Sequence, residues 1–253
     1  IQAGFSTGDL PDIFQLPTGM DVREAAGEKW IRPIDDLVSD TWKGYFYDSA
    51  FQDGSNIVNG KLYTWPTYGP ELGSILYYNK GVLKKFGYDA NKPPQTWEEL
   101  RKISKTITEK GKGDIYGIVF SGSGVNNSYN AFTSALMAGT NPEGAAENGF
   151  NLKIGKYSFD SPERIEAIKF LKQLKADGSV LPSSFTITVP EARSLFAQGK
   201  AAFYVDSRAS MWLIKQESPD LKLGLAAVPT KTTGEKPTFS YTLANTNGFV
   251  VSA

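Results

Sequence analysis

The sequence predicts an α/β fold, because short apolar runs with strand composition alternate with segments whose apolar residues recur at helical spacing. The helical pattern is clearest where Leu100, Ile103 and Ile107 form one stripe after a capping box that begins at Thr96. The strand pattern is clearest in the apolar runs 115–120 and 201–205. With 253 residues, of which 40% are apolar and 21% charged, the chain can form one large domain or two small ones.

Strand and helix signals alternate from the beginning of the chain. Residues 10–16 have the composition of a short strand that begins after Pro11, and residues 21–27 suggest a short helix. Ile34 is followed by Asp35-Asp36, which we interpret as a helix start, because a helix dipole favours carboxylates there. Adjacent carboxylates on a helix point in different directions, so an acid/base pair at these two positions is not expected.

The segment Asn59–Asn79 is the most informative stretch of the sequence. It opens with Asn59-Gly60, a turn signal, and Pro66 ends the strand-like run 62–65 that follows. A loop rich in aromatic residues leads to a second apolar run, 75–78. Taken alone, the segment is compatible with a plain β-hairpin whose aromatic side chains belong to the core, or with a rim of flat apolar faces for a ring-shaped polar ligand.

The rest of the chain repeats the alternation. The helix that follows Ser161 is predicted to turn Ile165, Ile168, Leu171 and Leu174 towards the core. The strand 201–205 is predicted to end at a loop made of Asp206, Ser207 and Arg208. Further helices are expected at 82–87, 131–138 and 190–198, a polar loop at 121–130, and strands at 223–228 and within 239–251.

Composition excludes several chemistries. Lys plus Arg (27) equals Asp plus Glu (27), so no net field favours nucleic acid, and no nucleic-acid partner is expected. The sequence has neither Cys nor His. Disulfides, thiolate nucleophiles, Ser-His-Asp catalysis and the usual zinc ligands are therefore absent from the chain, and no cofactor is expected. No apolar run reaches the length of about 18 residues that suggests a membrane span, and no signal peptide is visible.

The order of short motifs along the chain resembles the extracellular solute-binding proteins of bacterial ABC sugar importers, the family of maltodextrin-binding-like proteins. Each motif is weak alone, but together they follow the order and approximate spacing of that family over essentially the whole chain. The motifs are Pro11-Asp12-Ile13-Phe14, Ile31-Arg32-Pro33-Ile34-Asp35-Asp36, Asn59-Gly60-Lys61-Leu62-Tyr63 with Trp65-Pro66, Leu76-Tyr77-Tyr78-Asn79-Lys80, Pro93-Pro94-Gln95-Thr96-Trp97-Glu98-Glu99-Leu100, Gly199-Lys200-Ala201-Ala202-Phe203 and Val228-Pro229.

The resemblance implies a two-lobed periplasmic-binding-protein-like fold of type II, with a ligand held between lobes that close by a hinge. Residues 1–76 would form part of the first lobe, 77–224 the second, and 225–253 the return into the first. The family has further segments before the Pro-Asp motif and after the point where this sequence stops, so the fold is expected to be incomplete at both ends.

The function implied by the resemblance is capture of a sugar or oligosaccharide outside the cytoplasm and its delivery to the membrane subunits of an ABC importer. The protein is expected to be a monomer, located in the periplasm or anchored to the cell surface by a lipid.

Candidate ligand-binding residues combine aromatic faces with side chains that bond hydroxyls. Trp65 and Tyr68 are the best stacking candidates, with Glu71 as an acceptor beside them. Several others follow predicted strands, where α/β proteins bind ligands; the resemblance adds Gln15 and Thr18 in the first lobe. The complete set is Trp65, Tyr68, Glu71, Gln15, Thr18, Asn126, Asn127, Tyr129, Asp206, Ser207, Arg208, Trp212, Tyr241 and Asn247.

Three alternatives stay open at this stage. Arg208 departs from the glycine and aromatic residue that the family often has there, and it could bond ligand hydroxyls or pair with Asp206. A carbohydrate-active enzyme would need two carboxylates facing each other, for which Glu71 and Asp206 are the candidate pair. A binding protein for a polyol, a phosphodiester or a peptide is the third alternative, and a second basic residue converging with Arg208 would favour an anion.

Overall fold

The structure is a computed structural model that describes residues 1–17, 20–46, 51, 53, 56–65, 71–72, 74–124, 128–138, 150–151, 156–157, 159–235, 241–242 and 248–253. The helices are α1 (Gln2–Thr7), α2 (Val22–Gly27), α3 (Asp40–Lys43), α4 (Lys80–Lys85), α5 (Trp97–Gly111), α6 (Ser128–Ala138), α7 (Pro162–Ala176), α8 (Val189–Ala197) and α9 (Ala209–Glu217), with a 3-10 helix at Pro182–Phe185. The strands are β1 (Ile13–Gln15), β2 (Ile31–Arg32), β3 (Ile57–Val58), β4 (Lys61–Leu62), β5 (Glu71–Leu72), β6 (Ile75–Asn79), β7 (Tyr116–Val119), β8 (Phe150–Asn151), β9 (Lys156–Tyr157), β10 (Ala201–Asp206), β11 (Leu223–Ala226), β12 (Tyr241–Thr242) and β13 (Phe249–Ser252).

The chain divides into two compact units. Ile1–Glu71 and Tyr241–Ala253 belong to unit 1, and Leu72–Asn151 and Lys156–Ser240 belong to unit 2. Two boundaries between these ranges lie at 71/72 and 240/241. The lobe boundaries that the sequence placed at 76/77 and 224/225 stay a prediction. Strand β11 pairs with β6 from Leu76 to Asn79, and both strands belong to the main sheet of unit 2.

Unit 1 is built on an antiparallel sheet in which β13, from the end of the chain, lies between β1 and β2. Phe14 pairs with Val250, and both are buried. The core beneath them includes Ala25 of α2 and Ile31 of β2. Burial of these side chains explains why the first and last segments of the chain are held together. Beside this sheet, β3 and β4 form a hairpin.

The hairpin confirms the predicted turn. Asn59 and Gly60 both have positive φ, at 51° and 74°. Two residues with positive φ give the turn geometry that matches the twist of paired strands. The strand after it is shorter than predicted, because β4 ends at Leu62 and Thr64 makes an isolated bridge with Val250.

Unit 2 contains a sheet with the strand order β11-β6-β10-β7 among the described residues. β10 is parallel to β7 and antiparallel to β6, and β11 is antiparallel to β6. All six residues of β10 are buried, since helices cover both faces of the sheet. Helices α5 and α6 pack on one face and α8 packs on the other.

Helix starts in both units follow the capping chemistry expected from the sequence. The Thr96 hydroxyl accepts a hydrogen bond from the Glu99 backbone N–H at 3.2 Å. The Ser161 hydroxyl accepts one from Arg164 at 3.3 Å, and Pro162 follows it at the first helical position. These side chains satisfy backbone donors that the helix itself leaves unpaired.

Two predicted features are wrong. No helix starts at Asp35-Asp36, where the chain makes a turn: Asp35 accepts a hydrogen bond from the Leu62 backbone N–H at 3.0 Å, and Asp36 forms an ion pair with Arg32. In α7, Ile165 and Ile168 are exposed. The inward face consists instead of Arg164, Ala167, Phe170, Leu171 and Leu174.

Helix α9 was not anticipated. It begins directly after the predicted loop 206–208 without a side-chain cap, so its start carries no sequence signal. No described helix has both the length and the apolar character needed to cross a bilayer.

Candidate functional site

Several predicted site segments meet at one edge of the sheet in unit 2. Strand β10 runs parallel to β7, with Tyr204 opposite Val119, so both strands end at the same edge. Strand β6 runs the other way and begins there, with Ile75 opposite Asp206. We call this the carboxyl edge. It corresponds to the place where open α/β sheets commonly bind ligands.

The loop that follows β7 is closed by two serines. The Ser121 N–H donates to the Ser128 hydroxyl at 2.7 Å, and the Ser128 N–H donates to the Ser121 hydroxyl at 2.8 Å. Both side chains are buried. The reciprocal bonds fix both ends of the predicted polar loop at the carboxyl edge.

Tyr129 lies one residue beyond this closure and is half-buried. Its ring centroid is 5.7 Å from that of Phe120 and 6.5 Å from that of Phe185. Part of its surface is therefore used in packing against the core of unit 2.

Asp206 ends β10 and is only 9% exposed. Its carboxylate accepts hydrogen bonds from the Tyr204 hydroxyl, the Ser207 backbone N–H and the Ser210 hydroxyl. Burial, followed by the Asp206 charge, raises the pKa of Tyr204 well above its usual value, so Tyr204 remains a donor. Ser210 was not singled out by the sequence, because an isolated serine in a helix carries no functional signal.

The residues that follow Asp206 turn outward. Ser207 is half-buried, and Arg208 is exposed with helical backbone angles at the start of α9. Trp212 lies one helical turn later and is 63% exposed. Positions four residues apart share one face of a helix, so Arg208 and Trp212 are neighbours on the same surface.

Two predicted site residues of unit 1, Trp65 and Gln15, each lie next to Phe249, which the sequence analysis did not select. The Trp65 ring stacks on Phe249 with centroids 6.0 Å apart and an interplanar angle of 22°. Gln15 pairs directly with Phe249 across the ladder between β1 and β13, so both side chains lie on the same face of the sheet. We call Trp65, Phe249 and Gln15 the aromatic platform.

Phe249 was overlooked because a run of apolar residues at the end of the chain resembles core. Strand alternation was the available signal: Val250 is buried, and its neighbour Phe249 points to the other face, where it is 38% exposed. Thr64 supports the arrangement, since its hydroxyl donates to the Phe249 carbonyl oxygen at 2.8 Å.

The remaining candidates lie at least partly outside the described residues. For Glu71 and Tyr241 the structure describes the backbone only, in β5 and β12, which pair with each other. The candidates wholly outside the described residues are Thr18, Tyr68, Asn126, Asn127 and Asn247. Within the described part of the chain, no group of three acidic residues could hold a metal ion.

Comparison with known proteins decides the family. The model of the family described as bacterial extracellular solute-binding protein matches residues 1–253. The chain belongs to the bacterial extracellular solute-binding proteins. The resemblance inferred from the motif order is thereby confirmed.

Two curated relatives illustrate the range of this family. The melibiose/raffinose/stachyose-binding protein MelE of Bacillus subtilis is 25% identical over 252 residues, covering 94% of this chain and 54% of MelE. The sn-glycerol-3-phosphate-binding periplasmic protein UgpB of Shigella flexneri is 26% identical over 226 residues, covering 85% of this chain and 47% of UgpB. The chain thus spans about half the length of the curated relatives it matches.

A solved structure of a family member confirms the fold. An ABC transporter solute-binding protein from Agrobacterium vitis S4 with bound D-mannitol is 25% identical, with a TM-score of 0.63 over 100% of this chain and 58% of that one. The predicted α/β fold of the type II solute-binding proteins, represented here in part, is therefore confirmed.

Proposed function

We propose that the full-length protein is a receptor outside the cytoplasm that captures a sugar or oligosaccharide and delivers it to an ABC importer. The observation that carries this proposal is the match of the solute-binding family over all 253 residues. Members of this family are binding proteins, and we propose that the ligand leaves chemically unchanged. We also propose that the receptor is a monomer. It would lie in the periplasm or be anchored to the cell surface by a lipid, where it meets the membrane subunits of the importer.

The aromatic platform favours a sugar. The apolar face of a pyranose packs on a flat aromatic surface, and a neighbouring amide such as that of Gln15 can both donate to and accept from hydroxyls. Trp65 and Phe249 stack on each other and form an aromatic pair beside the end of β1. In unit 2, Ser207, Arg208 and Trp212 at the carboxyl edge would supply further bonds and a second aromatic surface. We propose each of these two surfaces as a sugar-contacting surface of its own unit.

A phosphorylated polyol is the second candidate ligand. It is favoured by the exposed Arg208 at the carboxyl edge, since a guanidinium binds phosphate oxygens with two parallel hydrogen bonds. The name of UgpB, which binds sn-glycerol-3-phosphate, agrees with this possibility.

Titration calorimetry of the full-length protein would separate the candidates. The ligand panel contains melibiose, raffinose, stachyose, D-mannitol and sn-glycerol-3-phosphate. We expect a sugar to bind with a Kd of about 1 μM or lower, which corresponds to about −8 kcal/mol. Binding of sn-glycerol-3-phosphate alone would favour the second candidate, and chromatography of the recovered ligand would reveal any product of catalysis.

A variant of the platform tests which residues carry the sugar. Trp65→Ala should weaken sugar binding about tenfold, because the stacking surface is lost. Tyr45→Ala is the matched control: Tyr45 is an aromatic residue of the same unit that is 80% exposed and lies outside the platform. Equal affinities for the two variants would contradict the assignment of Trp65.

A further inference from the structure

Buried side chains hydrogen-bond to the turn between β10 and α9, residues 206–208. The Asp206 carboxylate accepts the Ser207 N–H at 2.7 Å and the Tyr204 hydroxyl at 2.5 Å, and Ser210 of α9 donates to the same oxygen as Tyr204. A carboxylate has about four lone-pair sites, so three bonds use most of its accepting capacity. Asp206 is therefore poorly suited to bind a ligand directly.

A second strand holds the same turn. The Tyr77 hydroxyl donates to the Ser207 carbonyl oxygen at 2.6 Å. Tyr77 is fully buried in β6, and its burial, together with the charge of Asp206, raises its pKa above the usual value. The hydroxyl therefore keeps its proton and remains a hydrogen-bond donor at all physiological pH values.

The exposed residues of this region depend on the geometry of the turn. Arg208 begins α9, and Trp212 follows on the same face one turn later. No side-chain cap holds the start of α9, whereas the bonds to Asp206 and from Tyr77 hold the turn that precedes it. A carboxylate close to a helix N-terminus is also favoured by the helix dipole.

We propose that Tyr77 and Asp206 are positioning residues, which fix the β10–α9 turn so that Arg208 and Trp212, and not Asp206, contact the ligand. The proposal rests on the proposed function and changes the role first assigned to Asp206. Fixing the turn before binding reduces the conformational entropy lost when ligand binds. The buried carboxylate is compensated by its hydrogen bonds, which is the condition under which a buried charge is tolerated.

Tyr77→Phe in the full-length protein tests the proposal, because it removes one hydroxyl and keeps the ring in the core. Two effects are expected: the fluorescence and iodide quenching of Trp212 change in the free protein, and affinity for the sugar falls about fivefold. The Trp212 signal is obtained as the difference between each variant and the same variant carrying Trp212→Phe.

Tyr78→Phe is the matched control. Tyr78 is the next residue of β6, it is also buried, and its side chain lies on the opposite face of the sheet. We expect this variant to retain both the Trp212 signal and the affinity. If Tyr77→Phe behaves like Tyr78→Phe in both measurements, the proposal is wrong.

A double-mutant cycle separates positioning from a general loss of stability. In an Arg208→Ala, Trp212→Ala background, Tyr77→Phe should have no further effect on affinity, because the residues it positions are gone. If Tyr77→Phe lowers the affinity in that background by the same factor as in the wild-type protein, the proposal is wrong. Asp206→Asn, which keeps the shape of the side chain, should reproduce the change in Trp212 fluorescence and quenching if it folds.

The two proposals fail in different ways. If the wild-type protein binds no ligand of the panel, the proposed function fails, while the Trp212 signal of the free Tyr77→Phe protein still decides whether the turn is held by Tyr77. If Tyr77→Phe changes the Trp212 signal but leaves the sugar affinity unchanged, Tyr77 fixes the turn but the turn does not contact the sugar. The positioning role is then rejected.

Discussion

Asp177 joins two long helices of unit 2 through a single carboxylate. It lies at the end of α7 and accepts hydrogen bonds from the Arg101 guanidinium of α5, at 2.5 Å from Nε and 3.0 Å from Nη2. Lys105 adds a second positive charge with its Nζ at 3.8 Å. The Arg101 hydrogen bonds, only partly opposed by burial, hold the pKa of Asp177 below its usual value.

Asp177→Asn should lower the free energy of unfolding by about 1 kcal/mol at neutral pH. Because the pKa of Asp177 is lowered in the folded state, this stabilisation is present above the unfolded-state pKa of about 3.9 and is lost as pH falls through the folded-state value. Urea unfolding at several pH values, followed by Trp97 fluorescence, measures it, since Trp97 stacks on Phe170 between the same helices. The more exposed Asp36 provides the control Asp36→Asn, which should have a smaller effect. A difference at neutral pH that persists unchanged at the lowest pH would contradict the role of Asp177.

Single residues also show how far the site could be predicted. Trp65 was selected from its residue type and position and Gln15 from the family resemblance, and each lies next to Phe249 in the aromatic platform. Asp206 was selected because a carboxylate follows a strand, but a sequence does not reveal that Tyr204, Ser207 and Ser210 already donate to it. Hydrogen-bond saturation is a property of the folded chain.

Pairs of elements in unit 2 pack so closely that some contacts require glycine. In β7, a methyl group on Gly117 would overlap both the backbone and the side chain of Ser104 in α5. In β11, a methyl group on Gly224 would overlap the ring of Tyr78 in the neighbouring strand. The absence of a side chain sets the distance between α5 and the sheet, and between β11 and β6.

Gly117→Ala should therefore destabilise the protein by about 2 kcal/mol, because α5 or β7 has to move to admit the methyl group. The free energy of unfolding from urea titration followed by circular dichroism measures this effect. Gly27→Ala is the control, since Gly27 ends α2 and a methyl group there would meet nothing within 4 Å. Equal effects of the two substitutions would contradict close packing of α5 against Gly117.

For helices, the sequence predicts existence better than it predicts which face is buried. The existence of α5 and α7 follows from caps and periodicity, and both are confirmed. The buried face of α7 was misjudged because Arg164 lies on it, and a charged residue is normally assigned to the solvent. Ile165 and Ile168 have the residue type of a core but lie on the exposed face, so residue type alone did not set the rotation of the helix.

At the scale of the whole molecule, the chain passes from unit 1 to unit 2 and back. The junctions at 71/72 and 240/241 lie in β5 and just before β12, and these two strands pair with each other. The order of motifs predicted two lobes and a double crossing. The boundaries of the lobes stay a prediction, because a strand's membership of a sheet depends on partners that are distant in sequence, as β6 and β11 show.

Hydrogen–deuterium exchange of the full-length protein, with and without the sugar found by calorimetry, tests most directly the proposal that the aromatic platform and the β10–α9 turn bind the sugar. We predict slower exchange in the presence of sugar in two segments: residues 62–65 with 248–250 around the aromatic platform, and residues 205–212 around the β10–α9 turn. Helix α5, which lies outside both regions, should be unaffected and serves as the internal reference. Protection confined to one unit, or no protection at a saturating sugar concentration, would contradict the proposal.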